Sequence, residues 1–215
     1  GGKELDSASA DKAYDIWFNA AMEAVHRADM LHQVGLHKSV INRLLEPFLP
    51  HTIIVSATEW QGFWDQRCHP DAQPEIRELA EKMLEAYQAS TPLIATEGTW
   101  HLPLIDEDDW HIASQKLGTN HELGSWEQMV EHLKKISVAR CARVSYLTHD
   151  GKRDHEKDLE LYDRLYSHSP SHASPFEHVA TPADYTEKFS GTRIADDTDG
   201  NFKGWHQLRH VLNLW

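Results

Sequence analysis

The sequence predicts an α+β domain, and three observations carry that expectation. Long stretches repeat apolar residues at helical spacing, one β-branched run interrupts them, and an aperiodic stretch separates two ordered halves. At 215 residues the chain reads as a single domain with an irregular insertion, long enough to bury a real core.

Ser7 or Ser9 is expected to cap a long first helix. Its inward face would be Tyr14, Trp17, Phe18, Ala21, Val25, Ala28 and Leu31, and Gly35 would stop it. A shorter helix follows from Lys38 through Leu45, ended by Pro47. His51 to Ala57 reads as a strand, followed by the aromatic patch Trp60, Phe63 and Trp64. Arg67 falls in a turn-like Gln-Arg-Cys-His-Pro-Asp segment. The next helix starts at Gln73–Pro74, with Ile76, Leu79, Ala80, Met83, Leu84 and Tyr87 on one face.

From Ala89 to Gly124 no period is visible, and the acidic run at 106–109 points to a surface excursion. Ser125-Trp-Glu-Gln is a capping box leading into a helix through Lys135. Val138 to Tyr146 is apolar apart from Arg140 and Arg143. Asp154 to Tyr166 is amphipathic, with Leu159, Leu161, Tyr162 and Leu165 inward. The tail carries SHASPFEHVATP (171–182) and GNFKGWHQLRH (200–210), and no internal repeat is visible.

The formal net charge of −13 argues against nucleic acid or an anionic membrane as partner. A mononucleotide stays open, because one phosphate needs only a local arginine cluster. No apolar run approaches the ~20 residues that cross a bilayer, and no signal-peptide pattern is seen. Cys68 and Cys141, the only cysteines, suit a reducing compartment, so a cytoplasmic protein is expected. The chain begins Gly-Gly-Lys-Glu without methionine and ends in mid-pattern, so both ends read as cut.

Arg67 is the sharpest single candidate. It is either a surface arginine paired with Asp65 or Asp71, or a fixed cation that stabilises an enolate-like or phosphate oxygen. Arg43, on a helix whose other face is apolar, reads first as a solvated charge. Cys68 reads as a small buried cysteine rather than an activated thiolate. Sixteen histidines invite a metal reading: His149-Asp150 resembles the HD pair of metal-dependent phosphohydrolases, and His69 and Asp71 could add ligands. No HExxH or CxxC spacing supports it, so no metal site is assigned. His172-Ala-Ser174-Pro175-Phe176-Glu177-His178 is either a helix start or a polar cluster too dense for a packed core. Phe202, Trp205 and Arg209-His210 set aromatics beside cations, which can clamp a planar ligand or stack on each other.

These residues resemble a known family. Ala142–His178 is similar to the N-terminal block of flavin-dependent thymidylate synthases, from Ala-Arg-Val-Ser through an acidic helix to Ser-Pro-Phe-Glu-His. Gly35–Tyr87 resembles the family's C-terminal block, with Gln66-Arg67 and Ala72-Gln73-Pro74-Glu75-Ile76-Arg77. With the segments around them the two blocks take in well over half of the chain. Their order is reversed, which resembles the circularly permuted, phage-type members that end in a segment like Gly200–Arg209.

The resemblance implies a central, mostly antiparallel sheet flanked by long helices. It implies reductive methylation of dUMP, with methylenetetrahydrofolate as carbon donor, FAD as hydride carrier and NADPH as reductant, in a homotetramer that shares FAD between subunits. No enzyme cysteine serves as nucleophile. By the same resemblance Arg67 polarises the uracil, and Arg43 (or its neighbour Asn42) binds dUMP. Ser145, His172, Ser174 and Glu177 fall on flavin-binding positions. Arg209 and His210 resemble the start of an Arg-His-Arg motif that meets flavin and nucleotide, with Gln207 or His206 near the pyrimidine.

Three features depart from the family pattern. Gly62 stands for asparagine, Asp71 stands for histidine, and Val-Leu-Asn-Leu-Trp follows Arg209-His210 where a serine-rich motif is usual. In permuted members that motif lies upstream of where this chain begins, so a lost N-terminal segment is expected. Two other functions are weighed: an HD-like metal-dependent nucleotide phosphohydrolase, and a catalytically inactive relative kept as a binding or oligomerisation module.

Overall fold

The structure, a computed structural model, describes residues 5–96, 98–117, 123–144, 154–183 and 202–214. Eight α-helices and one two-stranded sheet account for the regular structure of these residues. The described residues are mostly helical, and the central sheet expected from the resemblance is not found among them. His51–Ala57, expected as a strand, joins no sheet.

Helix α1 (Ser7–Gln33) is capped by Asp6, whose carboxylate accepts the Ser9 N–H at 2.9 Å, so the cap precedes both serines expected for it. Gly35 ends it as expected. With φ at 86° it adopts the left-handed conformation that lets Leu36 N–H reach back to the Leu31 carbonyl at 3.1 Å. The expected inward face is a correction: of those residues only Ala28 is buried, while Tyr14 is 68% and Trp17 59% exposed. Trp17 packs on Phe48, with ring centres 5.2 Å apart.

The second helix is shorter than expected. α2 (Lys38–Ile41) gives way to 3-10 turns at Asn42–Leu44 and Glu46–Phe48, because Pro47 removes a donor there. α3 (Gln61–Arg67) collects Trp60, Phe63 and Trp64 into one aromatic cluster. α4 (Pro74–Ala89) begins with proline at its first position, as expected. Only Ala80 of its apolar face is buried, and Leu79 and Tyr87 stay exposed.

The core lies in the second half. α5 (Glu107–Leu117), α6 (Leu123–Ala142) and α7 (His155–Ser167) pack around Ala113, Leu133 and Ile136. A second cluster holds Val138, Ala139, Tyr162, Phe176, Val179, Leu208 and Leu214. The expected surface excursion is therefore a correction, since α5 grows out of its acidic run and buries Asp109 and Ala113. α6 starts ahead of Ser125, which lies inside the helix and not at its cap. α7 matches its expected span, with Asp154 accepting from Glu156 N–H at 3.0 Å and from Lys157 N–H at 3.3 Å.

One charge network ties these three helices together. Arg140 donates to both Asp109 oxygens (2.6 and 2.8 Å), to Asp158 (3.0 Å) and to the Leu104 carbonyl (2.8 Å). Arg143 pairs with the other Asp158 oxygen. His155 bonds Asp109 at 3.0 Å and His132 at 3.1 Å. Burial opposes ionisation of Asp109, but the Arg140 and His155 hydrogen bonds and charges outweigh it and hold the carboxyl below its usual range. Burial likewise opposes the Arg140 charge, and the two aspartates overcome it. Burial of Cys141 in the same helix pushes its thiol up to about 12.

The sheet is short. β1 (Ala180–Pro182) and β2 (Trp205–Gln207) run antiparallel, with Ala180 opposite Gln207 and Pro182 opposite Trp205. His101 adds one bridge to Ala180. The last helix, α8 (Leu208–Val211), follows β2 directly.

Candidate functional site

The β1–β2 pairing brings the two tail segments into contact. Leu208 N–H donates to the Val179 carbonyl at 2.7 Å, which sets α8 beside the 3-10 turn Ser174–Glu177. Phe176 anchors that turn in the core, and Glu177 stands half-buried at the turn's end. Arg209 Nη1 donates to Glu177 Oε2 at 2.8 Å, while its Nε donates to Gln207 Oε1 at 2.9 Å and to His210 Nε2 at 3.2 Å.

The 51–60 segment reaches the same place from the other half of the chain. His178 Nδ1 lies 3.2 Å from Ser56 Oγ, and Lys203 N–H donates to Thr58 Oγ1 at 2.9 Å. Lys203 Nζ approaches Glu59 at 3.7 Å. Trp60 Nε1 donates to the Ala57 carbonyl at 3.0 Å, fixing its ring. Between these contacts lies a cleft of ≈ 270 Å³, lined by Val55, Ser56, Ala57, Thr58, Trp60, His101, Phe202 and Trp205. Three aromatic rings with hydroxyls at the edge suit a planar, partly polar ligand.

Two histidines at the cleft are held uncharged. Burial lowers His101, and the neighbouring His178 lowers it further. Burial also lowers His178; the Glu177 charge pulls the other way, and Arg209 again lowers it. Both imidazoles therefore offer one donor and one acceptor at neutral pH.

The expected site residues divide into two groups. Glu177, Gln207, Arg209 and His210 form one bonded cluster. His206 sits on β2 next to it, on the opposite face of the strand from Gln207. His172 and Ser174 are exposed on the same turn, and the His172 ring lies 4.7 Å from that of His168. Ser145 falls outside the described residues, as do His149 and Asp150. Arg67 is a correction in local structure: it is the last residue of α3, not part of a turn, and a cation there suits the negative end of the helix. Neither surface pairing considered for it forms. Asp65 accepts from Gln61 at 2.7 Å, and Asp71 stands 3.6 Å from His69. Arg43 is exposed on the 3-10 turn Asn42–Leu44. Among the described residues no hydrogen bond or ion pair joins Arg43 or Arg67 to the Glu177–Arg209 cluster.

Sequence reasoning missed Ser56, Thr58 and His101. Trp60 was visible in its aromatic patch, but nothing local to residue 101 announces a backbone pairing with Ala180. Among the described residues no group of three His, Cys, Asp or Glu side chains is arranged to hold a metal ion. No described helix is long and apolar enough to cross a membrane.

Residues 6–93 match the profile of a family described as thymidylate synthase complementing protein. The match includes the block Gly35–Tyr87 and covers less than half of the 215 residues. Neither a comparison with curated proteins nor one with solved structures finds a match.

Proposed function

We propose, from the match of residues 6–93 to the family described as thymidylate synthase complementing protein, that the protein converts dUMP to dTMP by reductive methylation. Methylenetetrahydrofolate donates the carbon, FAD carries the hydride and NADPH is the reductant. The observation that carries this reading is the cleft where the family-matched segment 55–60 meets His178, just past the Ser174–Glu177 turn, and the Phe202–Trp205 segment. Its rings and hydroxyls fit a planar heteroaromatic group, and Glu177, Arg209 and His210 add an ordered polar edge beside it. FAD held there would supply hydride chemistry to the one-carbon unit.

The chain's own residues have the remaining roles. His172, Ser174, Glu177, Arg209 and His210 bind flavin, with Ser145 as a further contact. Arg209 and His206 also reach the nucleotide. Arg43 holds dUMP, and Arg67 polarises a uracil carbonyl, which lowers the cost of charge on the ring and leaves C5 nucleophilic. A homotetramer in a cytoplasmic setting completes the proposal. The exposed aromatic face of α1 supports a partner copy.

The test is anaerobic oxidation of reduced flavin by wild-type protein on addition of dUMP and methylenetetrahydrofolate. Oxidation that needs dUMP is expected. In Arg67→Ala flavin still binds, while the dUMP-dependent step slows by about 100-fold or more. Flavin binding with no turnover in the wild type would favour an inactive binding module. Unchanged turnover in the variant would remove Arg67 from its role.

A further inference from the structure

Gln207 is 1% exposed, at the end of β2 opposite the fully buried Ala180. A side chain so enclosed does not reach a ligand in the cleft. Its carbonyl oxygen instead accepts from Arg209 Nε at 2.9 Å. The arginine is held on two sides, by Gln207 and His210 at Nε and by Glu177 at Nη1. Nη2 is the one guanidinium nitrogen with no protein partner among the described residues, and the side chain is 28% exposed. A planar guanidinium fixed at Nε and Nη1 has its Nη2 donors fixed too, because the fork is rigid.

We infer that Gln207 is a positioning residue: it holds Arg209 so that the free Nη2 edge meets the ligand, and it does not touch the ligand itself. The inference rests on the proposed ligand-facing role of Arg209. It also separates the two β2 residues considered for the pyrimidine, leaving that contact to His206. The Gln207 amide N–H₂ has no protein partner among the described residues. A glutamate at 207 would therefore keep the acceptor that Arg209 needs, replacing a donor the protein does not use with a carboxylate that faces the Arg209 cation.

The test is a double-mutant cycle of Gln207→Met and Arg209→Ala, with Gln207→Glu as the rescue variant. FAD affinity is read by flavin fluorescence, dUMP KM is read where turnover is measurable, and thermal midpoints are read throughout. Gln207→Met is expected to weaken FAD binding and raise the dUMP KM by about 10-fold in the wild-type background. It should have no further effect on either in the Arg209→Ala background, and Gln207→Glu should stay within about 3-fold of wild type. Equal weakening in both backgrounds would mean direct ligand contact and overturn the inference. So would an unaltered Gln207→Met, or a well-folded Gln207→Glu that loses FAD. If wild-type protein binds no FAD at all, the proposed function fails. The thermal midpoints of the four cycle members then still decide: non-additive shifts support the Gln207–Arg209 coupling, and additive shifts refute it.

Discussion

Residues 6–93 and the described residues of 98–214 handle their apolar side chains in opposite ways. In the first region Tyr14, Trp17, Phe18, Val25, Leu79 and Tyr87 are exposed, and buried apolar positions are few. In the second, Leu133, Ile136, Val138, Phe176 and Val179 have no exposure, and a buried charge network locks three helices. The family match falls on the first region, while the self-sufficient core falls on the second. The difference teaches that helical periodicity reports an apolar face but not what covers it. On α1 and α4 that face stays exposed, and on α6 and α7 it is satisfied within the chain.

The largest expected effect comes from breaking the network that makes the second region self-sufficient. Arg140→Met leaves Asp109 and Asp158 buried without their shared cation, so it should destabilise by about 3–5 kcal/mol in urea titration. A loss below about 1 kcal/mol would mean the network is not what holds α5, α6 and α7 together. Next comes the α1 face. Trp17→Ser should weaken self-association by about 2 kcal/mol, read by sedimentation, because a central aromatic anchor at an interface is worth that much. A mass unaltered across protein concentration would leave the face without a partner copy.

A smaller effect follows acid. Burial lowers the folded-state pKa of His132, and so do His155, Lys116 and Lys135, all relative to 6.5. A depressed histidine contributes stability that is complete above its unfolded value and is lost as pH falls through the folded one. His101 and His178 act in the same direction. Asp109, lowered from 3.8, adds a further loss only in stronger acid. The thermal midpoint should therefore fall between about pH 7 and about pH 5, and His132→Gln should flatten part of that fall. A midpoint that rises on acidification would reverse the account of these imidazoles. The smallest effect is expected at the exposed pair Arg77–Glu81, 2.7 Å apart on α4, where Glu81→Gln should cost about 0.5 kcal/mol or less.

What could be read from sequence follows the same division. Local chemistry was legible: the Gly35 stop, Pro74 at the start of α4 and the Asp154–Tyr166 helix each depend on neighbours within a turn or two. Non-local pairing was not. His51–Ala57 has strand composition, but a strand needs a ladder partner, and β1 and β2 take each other. The acidic run at 106–109 reads as solvent-facing until Arg140 supplies a buried counter-charge from another helix. The Glu177–Arg209 cluster was visible as two motifs, and only the sheet shows that they touch.

FAD titration of the purified chain, followed by visible absorbance, tests the central claim most directly. The account predicts saturable binding with the absorption bands of a protein-bound flavin, weakened by Trp60→Ala in the family-matched segment and by Glu177→Ala in the tail. A protein that stays colourless and refuses added FAD would contradict the flavin-dependent reading.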